Sequence, residues 1–342
     1  MLGWVAGLSR FARTRAFLVD CPPEFQAEAS SFLGGMAPDL EMVAVGRREL
    51  GNLRPSDDEL ALVHDWRDKF HELMGALRPA WRIAVVLTAP LLYDRSPKRY
   101  RYERGIADRA LSSWPAFHLL TRQYRKDLAG AEHRIALCAE EAEALRLRYG
   151  IEATAVVPPP IDAAAEGAGE RGTVMLLGDF DEIDGRSALR VIRALGPEAV
   201  VHRGNRPLGH VPEGIGYSFV RSWIPHGELL RLFARSDVVI IGDRRGSYEM
   251  PPLEAIGSGA FVISPPYCSI STLEDEMRAR GLRGMPFLSL DEVPRMDGEE
   301  MRAAVESSSS SRAAASRVVR EAFSAEAVGA RMASALWGDR RV

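Results

Sequence analysis

The chain has few cysteines and no long apolar run. Its 342 residues include three cysteines, Cys21, Cys138 and Cys268, which lie far apart and form no C-x-x-C pair. This spacing argues against a disulfide framework or a zinc site and favours a reducing compartment. No apolar run approaches the about 20 residues that a membrane-spanning helix needs. We therefore expect a cytoplasmic protein.

An excess of charge of either sign is also missing. The sequence has 44 basic and 47 acidic residues, which gives a formal net charge of -3 at pH 7. We do not expect a chain with this balance to bind nucleic acid or other polyanions. It also lacks a G-x-S-x-G elbow and a P-loop, and its histidines show no metal-ligand spacing. The commonest signatures of hydrolases, P-loop proteins and zinc sites are therefore absent.

The first residues, MLGWVAGLSRFARTRAFLVD, are apolar first and basic later. This order is the reverse of that in a secretory signal. We interpret the segment as a surface helix that leads into the first strand. The alternative is a weakly amphipathic basic segment that makes peripheral contact with a membrane.

Short runs rich in Val, Ile and Leu alternate with helical patterns along the chain. Strands are predicted to start at Arg15, Leu40, Trp81, Arg134, Ala153, Thr173, Glu198, Asp237 and Ala260. Helices are predicted to start at Ala139, Gly185, His226 and Pro251, with a last helix capped by Ser324. Gly150 is predicted to end the helix from Ala139. This alternation is typical of α/β proteins with parallel sheets.

The alternation occurs in two series, separated by the Pro-, Ala- and Gly-rich stretch PPPIDAAAEGAGERG from Pro158. We interpret this stretch, residues 158–172, as an interdomain linker. The prediction is an N-terminal Rossmann-like domain over 1–157 and a second one over 173–322. A C-terminal helix within 323–342 is predicted to pack back towards the N-terminal domain. Two doubly wound domains of this kind would face a cleft, with ligands at the carboxyl ends of the strands.

One segment fits two structures. From Ser56, the sequence SDDELALVHDWRDKFHELMGALRP places large apolar residues on one helical face, with acids in the first turn. The alternative makes LALVHD a strand that ends at His64. The helix is the favoured prediction.

The stretch GSYEMPPLEAIGSGAFVIS from Gly246 indicates a loop, a short helix, a glycine break and a buried strand. Glu249 and Glu254 flank the start of that helix, around Pro251 and Pro252. The first backbone N–H groups of a helix have no partner within it and favour anions. The stretch therefore predicts a ligand rich in hydroxyl or phosphate oxygens.

That stretch, with the preceding GELLRLFARSDVVIIGDRR, resembles the nucleotide-sugar segment of the retaining GT-B glycosyltransferases of family 4, whose core is E-G-F-G-L-P-x-L-E-A. IALCAEEAEALRLRYGIEATAVVPPPID resembles the same family's entry into the interdomain hinge, and the likeness covers about residues 130–265. The resemblance implies a GT-B fold and transfer of a sugar from a UDP- or GDP-linked donor. It also implies retention of configuration, no bound metal and no other cofactor.

The resemblance places the donor around the motif. In the family, the second motif glutamate holds the ribose hydroxyls, and it falls on Glu254; a carboxylate suits a vicinal diol. The first motif glutamate, which contacts the sugar, falls on Gly246. Glu249 is the candidate replacement and hence the catalytic candidate, although it could be an ordinary first-turn helix acid. The remaining donor-site candidates here are Gly178, Ser247, Tyr248 and Met250.

The sequence departs from the family where the diphosphate is held. Two basic residues are expected after the first strand of the second domain, but Asp179 and Asp184 occupy their positions. Acids there would repel a desolvated diphosphate. Arg203, Arg244 and Arg245 are the candidates to neutralise it, because the guanidinium fork suits phosphate. Alternatively, these arginines are solvated or paired with nearby acids.

Three weaker signals leave alternatives open. Trp223 could stack on the nucleotide base or belong to the core. Asp179 and Asp181 could hold Mg²⁺, although acidic turns after strands are common. The basic and aromatic segment YDRSPKRYRYERGIADR from Tyr93 could contact an acidic acceptor, an anionic membrane or single-stranded nucleic acid, or form a solvated loop.

Two functions compete at this point. The first is a glycosyltransferase that moves a sugar to a small-molecule, glycan or lipid-linked acceptor. The second is a catalytically degenerate GT-B protein that acts as a partner or scaffold in a glycosylation complex, since the donor-site motifs are altered. A transferase with an unusual donor is a narrower variant of the first.

Overall fold

The computed structural model describes residues 2–19, 41–50, 52–56, 59–64, 70–78, 80–87, 114–164, 172–221, 224–242 and 248–338, and the structural statements below concern these. The chain divides into two compact units. The first unit is Met1–Pro160 with Ala325–Val342, and the second unit is Ile161–Ser324.

The first unit contains parallel strands with helices between them. Its strands are β1 (Arg15–Val19), β2 (Glu41–Val45), β3 (Leu60–His64), β4 (Arg82–Val86), β5 (His133–Ala136) and β6 (Ala155–Val156). β1 pairs with β2, and the other four form a sheet in the order β3-β4-β5-β6. Its helices are α1 (Leu2–Leu8), α2 (Arg47–Leu50), α3 (Phe70–Leu77), α4 (Trp114–Ala129), α5 (Ala139–Tyr149) and α12 (Ala325–Trp337). As predicted, Gly150 caps α5 in the left-handed conformation, with φ 63°.

The favoured prediction of one helix from Ser56 is wrong, and the alternative strand is correct. Residues 60–64 form β3, whose partner is β4, with Val63 opposite Val85. A separate helix, α3, starts at Phe70. The run LALV fits a buried strand as well as a helical face, so periodicity alone does not separate the two. The adjacent β4, buried over Ile83–Val86, decides the outcome by pairing with it.

The last helix, α12, packs against α1 within the first unit. The two helices meet at glycines, since a β-carbon on Gly329 would lie 2.5 Å from the carbonyl carbon of Gly7. Only residues without a side chain allow the backbones to approach this closely. Trp4 is buried, and its indole N–H donates to the carbonyl oxygen of Pro158 at 3.2 Å.

The second unit is a doubly wound parallel sheet in the order β12-β11-β10-β7-β8-β9. Its strands are β7 (Thr173–Leu177), β8 (Ala199–Arg203), β9 (Gly216–Val220), β10 (Val238–Ile241), β11 (Phe261–Ser264) and β12 (Phe287–Ser289). Renumbered from β7, this is the Rossmann order 3-2-1-4-5-6. The predicted strands were therefore correct, but the two edge strands β9 and β12 were missed.

Helices cover both faces of this sheet, and two hydrophobic clusters lie between the layers. The helices are α6 (Glu182–Leu195), α7 (His226–Arg235), α8 (Pro251–Gly257), α9 (Cys268–Ala279), α10 (Gly298–Ser307) and α11 (Ser309–Ala322). The five-serine run from Ser307 ends α10 and begins α11. Residues 161–164, within the predicted linker, are bonded into this unit: the Ile161 amide donates to Phe323 O at 2.8 Å.

No helix in the described part of the chain is long and apolar enough to cross a membrane.

Candidate functional site

The second unit places its candidate site where the strand order reverses. β7 lies at the centre of the sheet, with β8 on one side and β10 on the other. Successive connections therefore run in opposite directions from the carboxyl ends of β7 and β10, where doubly wound sheets bind ligands. Gly178 follows β7, Arg203 ends β8 and Gly242 follows β10.

The loops at this edge are packed closely against each other. The Gly178 amide donates to Arg203 O at 2.9 Å, and Gly178 has a φ of 95° that favours glycine. A β-carbon on Gly204 would lie 2.6 Å from Gly178 O. One on Gly242 would lie 2.5 Å from the Phe180 ring. Glycines are required at the carboxyl ends of β8 and β10 because their neighbours fill the space.

The Asp179 carboxylate binds the loop after β8. Its Oδ1 accepts from the backbone amides of Asn205 at 2.6 Å and Arg206 at 3.3 Å. Its Oδ2 accepts from Asn205 Nδ2 at 2.8 Å. Successive backbone N–H groups of this kind form an anion-binding nest. At the position where the family resemblance expects a basic residue, the chain thus supplies its own anion.

Asp181 and Asp184 have different roles from Asp179. Asp181 caps α6, because its Oδ1 accepts from the amides of Ile183 at 2.9 Å and Asp184 at 2.8 Å. Asp184 is buried in the first turn of α6. The D-x-D pair of Asp179 and Asp181 therefore has each carboxylate hydrogen-bonded to backbone amides of a different segment.

His202, buried on β8, connects the same loops. Its Nε2 lies 3.1 Å from Gly178 O, so this nitrogen carries the proton and donates. Its Nδ1 accepts from the Tyr217 hydroxyl at 2.9 Å and lies 3.3 Å from the Leu208 amide. Burial lowers the pKa of His202, although the bond to Gly178 and the charge of Asp179 oppose this. A neutral imidazole therefore joins β7, β8 and β9 at this edge.

Glu254, the predicted ribose ligand, is held by His226 at the start of α7. The residue is 4% exposed, yet Glu254 Oε1 lies 2.9 Å from His226 Nε2. Its other oxygen, Oε2, accepts no hydrogen bond from any residue that the structure describes. One carboxylate oxygen is thus fixed in place, and the described part of the chain leaves the second without a donor.

His226 lies between two carboxylates. It is the first residue of α7, with a half-exposed side chain, and its Nδ1 lies 3.9 Å from Asp162 Oδ2. The hydrogen bond to Glu254 raises the pKa of His226; burial opposes this, and the charges of Glu254 and Asp162 add to it. A protonated imidazole would pair with both acids.

The structure describes only some of the other predicted site residues. Tyr248 and Glu249 are half-buried and Met250 is exposed, all just before α8. Arg203 is half-buried and its guanidinium has no hydrogen-bond or ion-pair partner within the described ranges. Trp223, Arg244, Arg245 and Ser247 lie outside the described residues, so their predicted roles stay predictions.

Sequence reasoning missed His226 and His202 as site residues. His226 lies 28 positions before Glu254, too far for any helical or strand spacing to link them. The available signal was a histidine at the first position of the predicted helix HGELLRLFAR.

No protein-family model and no curated protein matches the chain. Solved structures do. A trehalose-6-phosphate synthase studied with bisubstrate glycomimetics matches at 12% identity over 95% of this chain and 99% of its own, with a TM-score of 0.59. WaaG, a glycosyltransferase involved in lipopolysaccharide biosynthesis, matches at 14% over 98% and 95%, with a TM-score of 0.54. The N-terminal domain of Candida albicans trehalose-6-phosphate phosphatase matches at 12% over 98% and 93%, with a TM-score of 0.55.

These likenesses and the parallel sheets confirm the predicted fold class. The chain has the GT-B fold, with two Rossmann-like units. At this level of identity the comparison extends to the fold, and function has to be argued from the site.

Proposed function

We propose that this GT-B protein is a glycosyltransferase that moves a sugar from a UDP- or GDP-linked donor to a small-molecule, glycan or lipid-linked acceptor. The second unit would bind the donor. The observation that carries the proposal is the Glu254 carboxylate, with Oε1 fixed 2.9 Å from His226 Nε2 and no described residue that donates to Oε2. A fixed carboxylate with one open oxygen is suited to accept from a ribose hydroxyl.

The remaining donor contacts follow from the sequence. Arg203, with no ion-pair partner among the described residues, would face the donor phosphates. Arg244 and Arg245 are the further candidates from the sequence. Glu249 would contact the transferred sugar. Gly178, with no side chain, would let the ligand approach the end of β7.

The chemistry would be retaining and metal-independent. The acceptor oxygen attacks the anomeric carbon as the bond to the donor phosphate oxygen breaks. The acceptor proton passes to that phosphate oxygen, so the sugar leaves with the acceptor and the nucleoside diphosphate leaves protonated. The arginines would stabilise the negative charge that develops on the leaving diphosphate. Two structural neighbours, a trehalose-6-phosphate synthase and the glycosyltransferase WaaG, support this reaction class.

A thermal-shift panel of nucleoside diphosphates and their sugars tests the proposal. A ligand that binds the folded state raises the unfolding midpoint by mass action. We expect UDP or GDP to raise it for the unaltered protein and not for Glu254→Gln. Glu306→Gln, an exposed glutamate on α10, is the matched control and should behave as the unaltered protein. No shift with any member of the panel would contradict donor binding.

A second candidate function is a catalytically degenerate partner subunit. The observation that favours it is the Asp179 carboxylate on the Asn205 and Arg206 amides, at the edge where a diphosphate would lie. The structural neighbours include a domain of a protein named as a phosphatase, so the fold itself allows other roles. Sugar transfer from any donor in the panel would exclude this candidate. A silent panel with an intact fold would favour it.

A further inference from the structure

We propose a second ligand site in the second unit, a pocket for an amphipathic organic anion beside helix α9. The pocket lies between α9 and the segment 280–287 that leads into β12, and its volume is 740 Å³. Small-molecule sites commonly measure about 300 to 1,000 Å³. Its lining shares no residue with the donor site described above, so it does not depend on the proposed function.

Backbone geometry keeps this space open. α9 ends at Ala279, and the Leu282 amide turns back to donate to Met277 O at 3.0 Å. Gly281 and Gly284 have φ values of 71° and 80°, which residues with side chains rarely adopt. The segment therefore turns twice after the helix, and a gap remains between it and α9.

The walls of the pocket are mainly apolar. Ile270 and Met277 on α9 are buried, whereas Leu282, Met285 and Phe287 are half-buried and pack against the same hydrophobic cluster. Methionine side chains adapt to irregular ligands. These five residues offer an apolar surface to an alkyl chain or a ring.

The rim of the pocket carries an arginine that pairs with no described acid. Its charged residues are Glu274, Arg278 and Arg283, two positive charges and one negative. Arg278 is engaged, since it donates to Glu274 at 3.0 Å and to Asp275 at 2.7 Å. Arg283 is exposed and has no hydrogen-bond or ion-pair partner in the part of the chain that the structure describes. A guanidinium in this state can bind a carboxylate through two parallel hydrogen bonds.

Together these features define the ligand class. The ligand is a medium-chain carboxylate whose alkyl chain lies against Leu282, Met285 and Phe287 and whose head binds Arg283. Glu274, bonded to Arg278, would oppose a second negative charge at the rim. A monoanion is therefore preferred over a diphosphate.

Calorimetry of the full chain with decanoate as the probe tests the site. We expect one decanoate to bind per chain. Hexanoate should bind at least about tenfold more weakly, because each buried methylene strengthens binding several-fold. Arg283→Gln should weaken decanoate binding about three- to tenfold, the range for a partly exposed charged hydrogen bond. Arg317→Gln, an exposed arginine on α11 outside the pocket, should leave it unchanged.

A second pair of variants locates the alkyl chain. Met285→Glu places a carboxylate in the wall and should abolish binding, whereas Met285→Leu should retain it. Circular dichroism and the unfolding midpoint show whether each variant is folded; if Met285→Glu is not, the exposed Arg283→Gln decides. The proposal is overturned if decanoate shows no saturable binding to the unaltered protein. It is also overturned if folded Arg283→Gln binds decanoate as tightly as the unaltered protein.

Discussion

His226 Nε2 lies 2.9 Å from Glu254 Oε1, so a half-exposed imidazole forms a hydrogen bond with a nearly buried carboxylate. The two residues come from the starts of α7 and α8, both on the carboxyl side of the sheet in the second unit. The contact gives Glu254 a fixed orientation and raises the pKa of His226.

The pair should make stability depend on pH. The pKa of His226 is raised in the folded state, so the folded protein binds its proton more tightly than the unfolded chain. The stabilisation is fully present below the unfolded pKa of about 6.5 and is lost as pH rises through the folded pKa. We expect less than about 1 kcal/mol, since the side chain is partly exposed and screened.

Urea unfolding of the unaltered protein and His226→Gln, from pH 5.5 to 8.5, measures this effect. The difference in unfolding free energy should shrink as pH rises. Comparison with the variant is needed because His202, whose pKa burial lowers, acts in the opposite direction in both proteins. Curves that run parallel over the whole range would show that His226 does not stabilise the fold by its charge.

Substitution of either member of the His226–Glu254 pair should weaken nucleotide binding, and substitution of Glu254 should weaken it more. Glu254→Gln keeps the size of the side chain but removes its charge, and should raise the Kd for the bound nucleoside diphosphate about 10- to 100-fold. His226→Ala leaves the carboxylate without its partner and should raise it less, about three- to tenfold. Calorimetry at pH 6.5 measures both.

His226→Gln is the matched variant for that experiment. Its amide N–H can still donate to Glu254, so we expect it to recover part of the affinity lost in His226→Ala. Equal affinity in Glu254→Gln and the unaltered protein would remove Glu254 from the donor site.

Removing the Asp179 carboxylate should expose an anion site. In Asp179→Ala the Asn205 and Arg206 amides lose their acceptor, which should cost about 1 to 3 kcal/mol of unfolding free energy. Inorganic phosphate should then raise the unfolding midpoint of the variant more than that of the unaltered protein.

Asp181→Ala is the control for this prediction. It removes the α6 cap and should cost about 1 kcal/mol, without freeing the amides of the Asn205 loop. An equal response to phosphate in both variants and the unaltered protein would mean that the Asn205 loop does not bind anions.

The loops after β7 and β10 should leave no room for a side chain at Gly242. Gly242→Ala places a methyl group against the Phe180 ring and should cost about 1 to 3 kcal/mol. Phe180→Leu should relieve part of that cost, so the double variant should be more stable than the sum of the two changes predicts. Chemical denaturation of the four proteins gives the coupling energy, and additive costs would contradict the steric explanation.

Much of the fold could be predicted because the relevant signals are local. β7, β10 and β11 are short apolar runs buried on both faces, and such runs are typical of the inner strands of a parallel sheet. Gly150 ends α5 because the left-handed conformation there suits glycine. The edge strands lacked these signals: β9 has two exposed positions among its five, and β12 has three residues.

The site could be predicted only in part. The motif around Pro251 predicts a role for Glu254 but not its contact with His226. In the sequence, the acids after β7 are only a departure from the family's phosphate-binding residues. In the structure Asp179 is bonded to the loop after β8, across a strand pair that no spacing in the sequence reveals. The strand at Leu60 likewise depends on its pairing with β4.

Local sequence patterns were enough to predict the alternation of strands and helices, the two series of that alternation and the turn residues at their ends. Periodicity and backbone preference act over a few neighbouring residues. The tertiary structure decided which side chains meet: His226 with Glu254, Asp179 with the Asn205 amides, and His202 with Gly178. Those contacts depend on the order of the strands in the sheet, which brings residues tens of positions apart to one edge. Burial there lowers the pKa of His202, whereas the hydrogen bond to Glu254 raises the pKa of His226.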